Sequence, residues 1–125
     1  MASAMGLTFQ QRLKAASETN RSLLCVGLDI DRARLPEPCR AAPGGTLAFI
    51  EAIVTATADL VCAYKPNLAF YLAEGLAGLE TLTAAIAAIR RLAPSVPIIL
   101  DAKFGDIDIS AAARACSAKS GPLPA

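Results

Sequence analysis

Three short apolar runs recur along the chain, and each ends in a charge. Leu23-Leu24-Cys25-Val26-Gly27-Leu28 stops at Asp29, Leu60-Val61-Cys62-Ala63-Tyr64 stops at Lys65, and Pro97-Ile98-Ile99-Leu100 stops at Asp101. Runs this short and continuous read as strands buried on both faces, the pattern of a parallel sheet. Between them the period lengthens. Phe9, Leu13 and Ala16 recur at helical spacing behind Thr8, a capping residue, and predict a helix that stops near Asn20. Leu47, Ile50, Ile53, Val54 and Thr57 line one side of a second helix, with Glu51 turned away. Leu79, Leu82, Ile86 and Ile89 line a third, which carries Arg90 and Arg91 in its last turn and ends at Pro94. The Pro-, Gly- and Arg-rich stretch from Arg32 to Gly45 reads as a loop, and Pro66 is expected to halt the second strand. Phe70 to Glu74 form a short helical turn, after which Gly75 and Gly78 are turn and packing residues.

Apolar strands alternating with amphipathic helices pair in parallel through right-handed crossovers. Asp29, Lys65, Asp101 and Lys103 then all fall at strand carboxyl ends, where a (β/α)8 barrel places its chemistry. The predicted fold is α/β of that TIM-barrel type, cut to about its first three β/α units.

The third run carries most of the information. Side chains alternate along a strand, so Asp101 and Lys103 project to one face, while Gly105 frees the backbone to turn and present Asp106 from the following loop. A carboxylate, an ammonium and a second carboxylate are thereby gathered at one spot. Asp31, two residues beyond Asp29, reads as a solvated residue or loop cap.

Composition narrows the field. The chain has 125 residues, enough for one domain with a modest core, and is 54% hydrophobic. Mean hydropathy is +0.47, yet Glu51 and Asp59 interrupt the most apolar region, so no run reaches the ~20 residues a membrane span requires. Residues 1–10 lack the pattern of a secretory signal, and a cytoplasmic location is the expectation. Twelve Lys and Arg against 11 Asp and Glu give a net charge of +1 with no basic cluster, which argues against nucleic-acid binding. Cys25, Cys39, Cys62 and Cys116 are widely spaced and the chain has no histidine, so neither a zinc site nor histidine chemistry is available. Cys25 and Cys62 read as core residues of strands in a reducing compartment.

The spacing Asp-x-Lys-x-x-Asp at a strand end resembles the signature of orotidine 5'-phosphate decarboxylase. The fuller string Leu100-Asp101-Ala102-Lys103-x-Gly105-Asp106-Ile107 is similar to that of the family's bacterial branch. Two upstream matches extend the resemblance. Asp29 stands where the family carries an aspartate that bonds the ribose hydroxyls, and Lys65-Pro66-Asn67-x-Ala69-Phe70 looks like its second-strand motif, whose lysine joins the active-site charges. A lone lysine at a strand end is ordinarily solvated; the companion motif overturns that reading for Lys65.

The resemblance implies decarboxylation of orotidine 5'-monophosphate to uridine 5'-monophosphate and CO2, a step of pyrimidine nucleotide synthesis, with neither metal nor organic cofactor. Fixed charges must then stabilise the carbanion developing at the pyrimidine C6. The resemblance assigns that role, and the later protonation of C6, to Lys103. It puts Asp101 beside the substrate carboxylate and lets Lys65 and Asp106 complete an alternating array. Asp106 and Ile107 would reach a neighbouring subunit's site, implying a homodimer, and Ser110 offers a hydroxyl to the substrate. Phe104 and Asp108-Ile109-Ser110 depart from the family's arginine and its Gly-Ser-Thr-like continuation. A magnesium-dependent sugar-phosphate decarboxylase or aldolase, such as a hexulose-phosphate synthase, shares the Asp-x-Lys-x-x-Asp pattern but has a glutamate where this chain has Lys65, and a lysine repels the cation.

A complete barrel takes eight strands and ~250 residues. This chain offers three strands before a further helix starting at Ala111, then a small, polar, proline-containing tail. The expected organisation is an amino-terminal portion of the barrel over 1–113, with a disordered or frame-altered tail over 114–125. The family's phosphate and pyrimidine contacts from later strands have no counterpart here. The third reading is therefore a truncated, non-catalytic fragment, and no independent turnover is expected of the 125 residues by themselves.

Overall fold

Thr8 opens the first helix as its sequence predicts. Its hydroxyl accepts the Gln11 N–H at 3.2 Å and the Gln11 side chain returns a bond to the Thr8 N–H at 2.8 Å, a complete capping box. The computed structural model describes residues 6–103, and helix α1 runs Phe9–Asn20. Only Ala16 of its predicted apolar stripe is buried; Phe9 is exposed. The helix is anchored instead at its end. Asn20 donates to the carbonyls of Ala58 and Val61 at 3.0 and 2.8 Å, satisfying two acceptors of the turn before the second strand. Asn20→Ala leaves both partly buried carbonyls without that donor and is expected to cost about 1–2 kcal/mol in urea unfolding. An unchanged midpoint would mean that water replaces the amide.

Strand β1 spans Cys25–Leu28 and pairs in parallel with β2, Ala63–Pro66, in the register Cys25↔Ala63 to Leu28↔Pro66. Between them lie a 3-10 turn at Arg32–Arg34, a short helix α2 at Glu37–Ala41 and the long helix α3 at Gly45–Thr57. After β2 come α4, Leu68–Leu72, and α5, Gly75–Leu92.

Both strands start later than their apolar runs. Leu23 and Leu24 are 90% and 55% exposed, and Leu60 belongs to the turn closing α3, where its carbonyl takes the Ser22 hydroxyl at 2.7 Å. The ladder is entered only when the Cys62 N–H reaches the Leu24 carbonyl at 2.8 Å. Pro66 ends β2, as its place in the sequence predicts. It lacks an N–H, but its carbonyl accepts from Asp101 N at 3.0 Å, so the strand keeps its outer neighbour through Pro66.

That neighbour is the third apolar run. It lies parallel to β2 through bridges Tyr64↔Ile98 and Asn67↔Asp101, with Tyr64 N–H to Pro97 O at 3.1 Å and Ile99 N–H to Tyr64 O at 2.8 Å. It forms isolated bridges instead of a continuous strand, because Pro66 has no N–H to give to the Ile99 carbonyl and the ladder is interrupted there. The resulting order is β1, β2, third run, all parallel, as the strand–helix alternation requires.

One face of this sheet is covered. Leu28 and Tyr64 pack with Ile50 and Val54 of α3 and with Leu82, Ala85 and Ile89 of α5, and Arg91 of α5 ties Glu51 of α3 at 3.0 Å. Tyr64 keeps its hydroxyl satisfied inside this core, 2.7 Å from Thr57 Oγ1. The opposite face carries Cys25, Gly27, Lys65 and Ile99. This corrects the expected burial of Cys25: it lies in β1 but on the face opposite this core, and is exposed, whereas Cys62 is buried just ahead of β2. No helix among the described residues is long and apolar enough to cross a membrane.

Candidate active site

Alternation along three parallel strands decides what meets at their carboxyl ends. Cys25 and Gly27 lead to Asp29, Ala63 and Lys65 lead to Asn67, and Ile99 leads to Asp101 and Lys103, all on the face away from the helices. The three strand ends are thereby aligned side by side.

Asp101 is the centre of the group, its side chain only 10% exposed. Lys103 Nζ stands 2.7 Å from each of its carboxylate oxygens, and Lys65 Nζ approaches Oδ2 at 3.5 Å from the neighbouring strand. One carboxylate is shared between two ammonium groups. The Lys103 hydrogen bond, and then the charges of Lys103 and Lys65, hold the Asp101 carboxyl below its ordinary range against the effect of desolvation. Lys103 remains 63% exposed, so its ammonium is presented to whatever occupies the open side.

Asp29 responds in the opposite direction. Loss of hydration pushes its carboxyl above the ordinary 3.8, and the nearby Asp101 adds to this, while Lys65, a hydrogen bond from Asn67 and Lys103 oppose it. Two aspartates of one site are thus driven apart by what stands beside each. The stability consequences have opposite signs. Asp101, depressed, contributes stability above the ordinary aspartate value that is lost as pH falls through its folded value; Asp29, raised, removes stability as pH rises from 3.8 through its own. Two results are expected: carboxyl 13C titration finds Asp29 protonating before Asp101 as acid is added, and Asp29→Asn raises the thermal midpoint at pH 7. The reverse order of protonation would refute this electrostatic arrangement.

Asp31 caps the 3-10 turn through the Ala33 N–H at 3.1 Å, as its position predicts. Beside Asp29 a cavity of about 330 Å3 opens between Arg34, Phe49 and Phe70. Two residues without an assigned role in the sequence reading complete the surroundings. Asn67 is buried, caps α4 by accepting the Ala69 N–H at 3.1 Å, and stands beside Asp29, whose ionised form it favours. Tyr71, buried on α4, donates to the Leu28 carbonyl at 3.0 Å. An Asn directly ahead of a helical turn is a capping signal, and it was available in the sequence. The Tyr71 contact spans 43 positions and had no local signal.

Residues 22–121 match the model of the family described as Orotidine 5'-phosphate decarboxylase / HUMPS family. The chain belongs to this family. Relatives named orotidine 5'-phosphate decarboxylase include those of Thermomicrobium roseum, 52% identical over 110 residues, and Herpetosiphon aurantiacus, 52% identical over 111. These matches take in 87% and 88% of this chain but 38% and 40% of the relatives, so the chain spans about two fifths of their length. Among solved structures, Leishmania donovani OMP decarboxylase superposes with a TM-score of 0.61 at 30% identity, over 90% of this chain and 40% of that one. The described residues accordingly form the opening β/α units of a decarboxylase-family barrel, whose strand ends bring Asp29, Lys65, Asp101 and Lys103 together. Phe104, Asp106, Ile107, Asp108, Ser110, Cys116, the helix expected from Ala111 and the tail expected over 114–125 lie outside the described residues.

Proposed function

We propose that this chain carries the charge array of an enzyme that decarboxylates orotidine 5'-monophosphate to uridine 5'-monophosphate and CO2, in pyrimidine nucleotide synthesis. The observation that carries the reading is the Lys65–Asp101–Lys103 cluster at adjacent strand ends. Lys103 stabilises negative charge developing at C6 as CO2 departs and then delivers the proton that replaces it. Asp101 faces the departing carboxylate and orients Lys103; Lys65 keeps Asp101 ionised, and Asp106 extends the alternation of charge. Preorganised charges act without reorganisation during the reaction, so no electron sink is needed. Asp29 binds the ribose hydroxyls, and Ile107 and Ser110 belong to the substrate-facing loop. A homodimer in which Asp106 and Ile107 serve the neighbouring site, a cytoplasmic location, and the division into a barrel portion over 1–113 and a tail over 114–125 are parts of the same reading.

The magnesium-dependent alternative is disfavoured by the same geometry. Lys65 Nζ lies 3.5 Å from Asp101 Oδ2, so a cation bound by that oxygen would face an ammonium group.

A chimera joining residues 1–103 to the remaining carboxyl-terminal part of the Thermomicrobium roseum relative tests the reading. It is expected to release CO2 from orotidine 5'-monophosphate, with the rate unchanged by EDTA, while the 125-residue chain assayed beside it does not. A chimera that melts cooperatively yet shows no turnover would sink the proposal.

A further inference from the structure

Asn67 occupies the middle of the three strand ends. The β1–β2 register closes at Leu28↔Pro66, so Asp29 and Asn67 emerge next to each other, and a bridge sets Asn67 beside Asp101 on the other side. It is therefore a neutral amide between two carboxylates, and at 5% exposure it is the buried polar residue of the described core. Its two ends are committed differently. The oxygen accepts the Ala69 N–H at 3.1 Å and closes the first turn of α4, while the nitrogen, which can only donate, favours the ionised form of the adjacent Asp29. Tyr71, on the same helix, binds the Leu28 carbonyl at 3.0 Å, so α4 grips two consecutive residues at the end of β1.

We infer that Asn67 is a positioning residue that uses its carboxamide to hold the Asp29 carboxylate against α4, leaving the outer carboxylate oxygen directed to a ligand's vicinal hydroxyls. The role rests on the proposed reading of Asp29 as the ribose-binding group. An aspartate held on one oxygen loses less freedom when its other oxygen takes a hydroxyl pair, so the effect belongs to ligand binding and not to the chemical step. The groups facing Asp29 are Lys65 on β2, Asp101 and Lys103 on the third run, Tyr71 on α4, and Asp31 and Arg34 across the cavity. Beside these groups, Asn67 is the neutral amide that favours the ionised carboxylate.

The two commitments of Asn67 are separable by substitution. Asn67→Ser keeps an oxygen that can cap α4 but removes the amide donor; Asn67→Asp keeps the cap and sets a carboxylate against Asp29. In the 125-residue chain, 13C titration of the Asp29 carboxyl is expected to move its midpoint upward in both variants, with helix content by circular dichroism unchanged. An unmoved midpoint in either folded variant overturns the inference, and loss of folding in both would make Asn67 structural only and overturn it too. In the chimera, Asn67→Ser is expected to raise KM with kcat preserved. Failure of the chimera to decarboxylate would remove the proposed reaction but leave the titration result standing, so the two claims fail separately.

Discussion

Lys103→Ala in the chimera lowers kcat at least about a thousandfold, equivalent to about 4 kcal/mol of barrier, while substrate still binds. The size follows from two functions vanishing together. The ammonium is the group poised to meet negative charge at C6, and it is also the proton source that completes the reaction. Its position is set by two bonds of 2.7 Å to Asp101, itself held by Lys65 at 3.5 Å, so the charge is already oriented before substrate arrives. Lys103→Arg is expected to restore little, because guanidinium keeps the charge but neither fits the same space nor gives up a proton near neutral pH. The decisive measurement is single-turnover decarboxylation. Activity within about tenfold of the unsubstituted chimera would show that the developing charge is stabilised elsewhere.

Gly78→Ala unfolds the chain or costs about 3 kcal/mol or more, a large fraction of the ~5–15 kcal/mol available to a domain of this size. Gly78 sits in the first turns of α5 where that helix crosses α4, and is buried. A Cβ there overlaps the Tyr71 carbonyl oxygen outright, and would stand 2.8 Å from the Tyr71 carbonyl carbon and 2.9 Å from Glu74 Cβ. The obstacle is backbone, so no rotamer change relieves it; α4 must move away from α5. Because α4 also carries Tyr71 and is capped by Asn67, the displacement reaches Leu28 and Asp29 at the edge of the site. Gly75 is the control. Its φ of +67° is a conformation glycine adopts readily, but a Cβ there meets nothing within 4 Å, so Gly75→Ala is expected to cost about 1 kcal/mol. Urea unfolding followed by circular dichroism distinguishes them. Equal midpoints for the two variants would mean that α4 is not held against α5 in solution.

The elements and the chemistry of this chain were written locally. Apolar runs ending at Asp29, Lys65 and Asp101 stated three strands in parallel, because a strand buried on both faces needs no polar alternation and a charge can appear only where the strand surfaces. The periods through Leu47–Thr57 and Leu79–Ile89 stated the covering helices, which the structure has as α3 and α5. Thr8 stated where α1 begins, and Asp31 where its turn is capped. The Asp101–Lys103 pairing followed from alternation alone, since two residues two apart on a strand share a face.

Tertiary structure decided what no short window contains. Leu23, Leu24 and Leu60 are as apolar as any strand residue, yet they lie outside the ladder because pairing starts only where the Cys62 N–H finds the Leu24 carbonyl. Cys25 is exposed because accessibility depends on which face is covered, and α3, α4 and α5 build the core on the other one. Pro66 closes its strand yet still holds the neighbour, because its carbonyl takes the Asp101 N–H although its missing N–H interrupts the ladder. The opposed behaviour of Asp29 and Asp101 likewise depends on distances between strands, which order two like residues by what stands beside each. Residue type and spacing determined the strands, the helices and the identity of the charged groups; only the register between strands and the seating of α4 decided which of them touch, because those contacts join positions some forty residues apart and are set by packing.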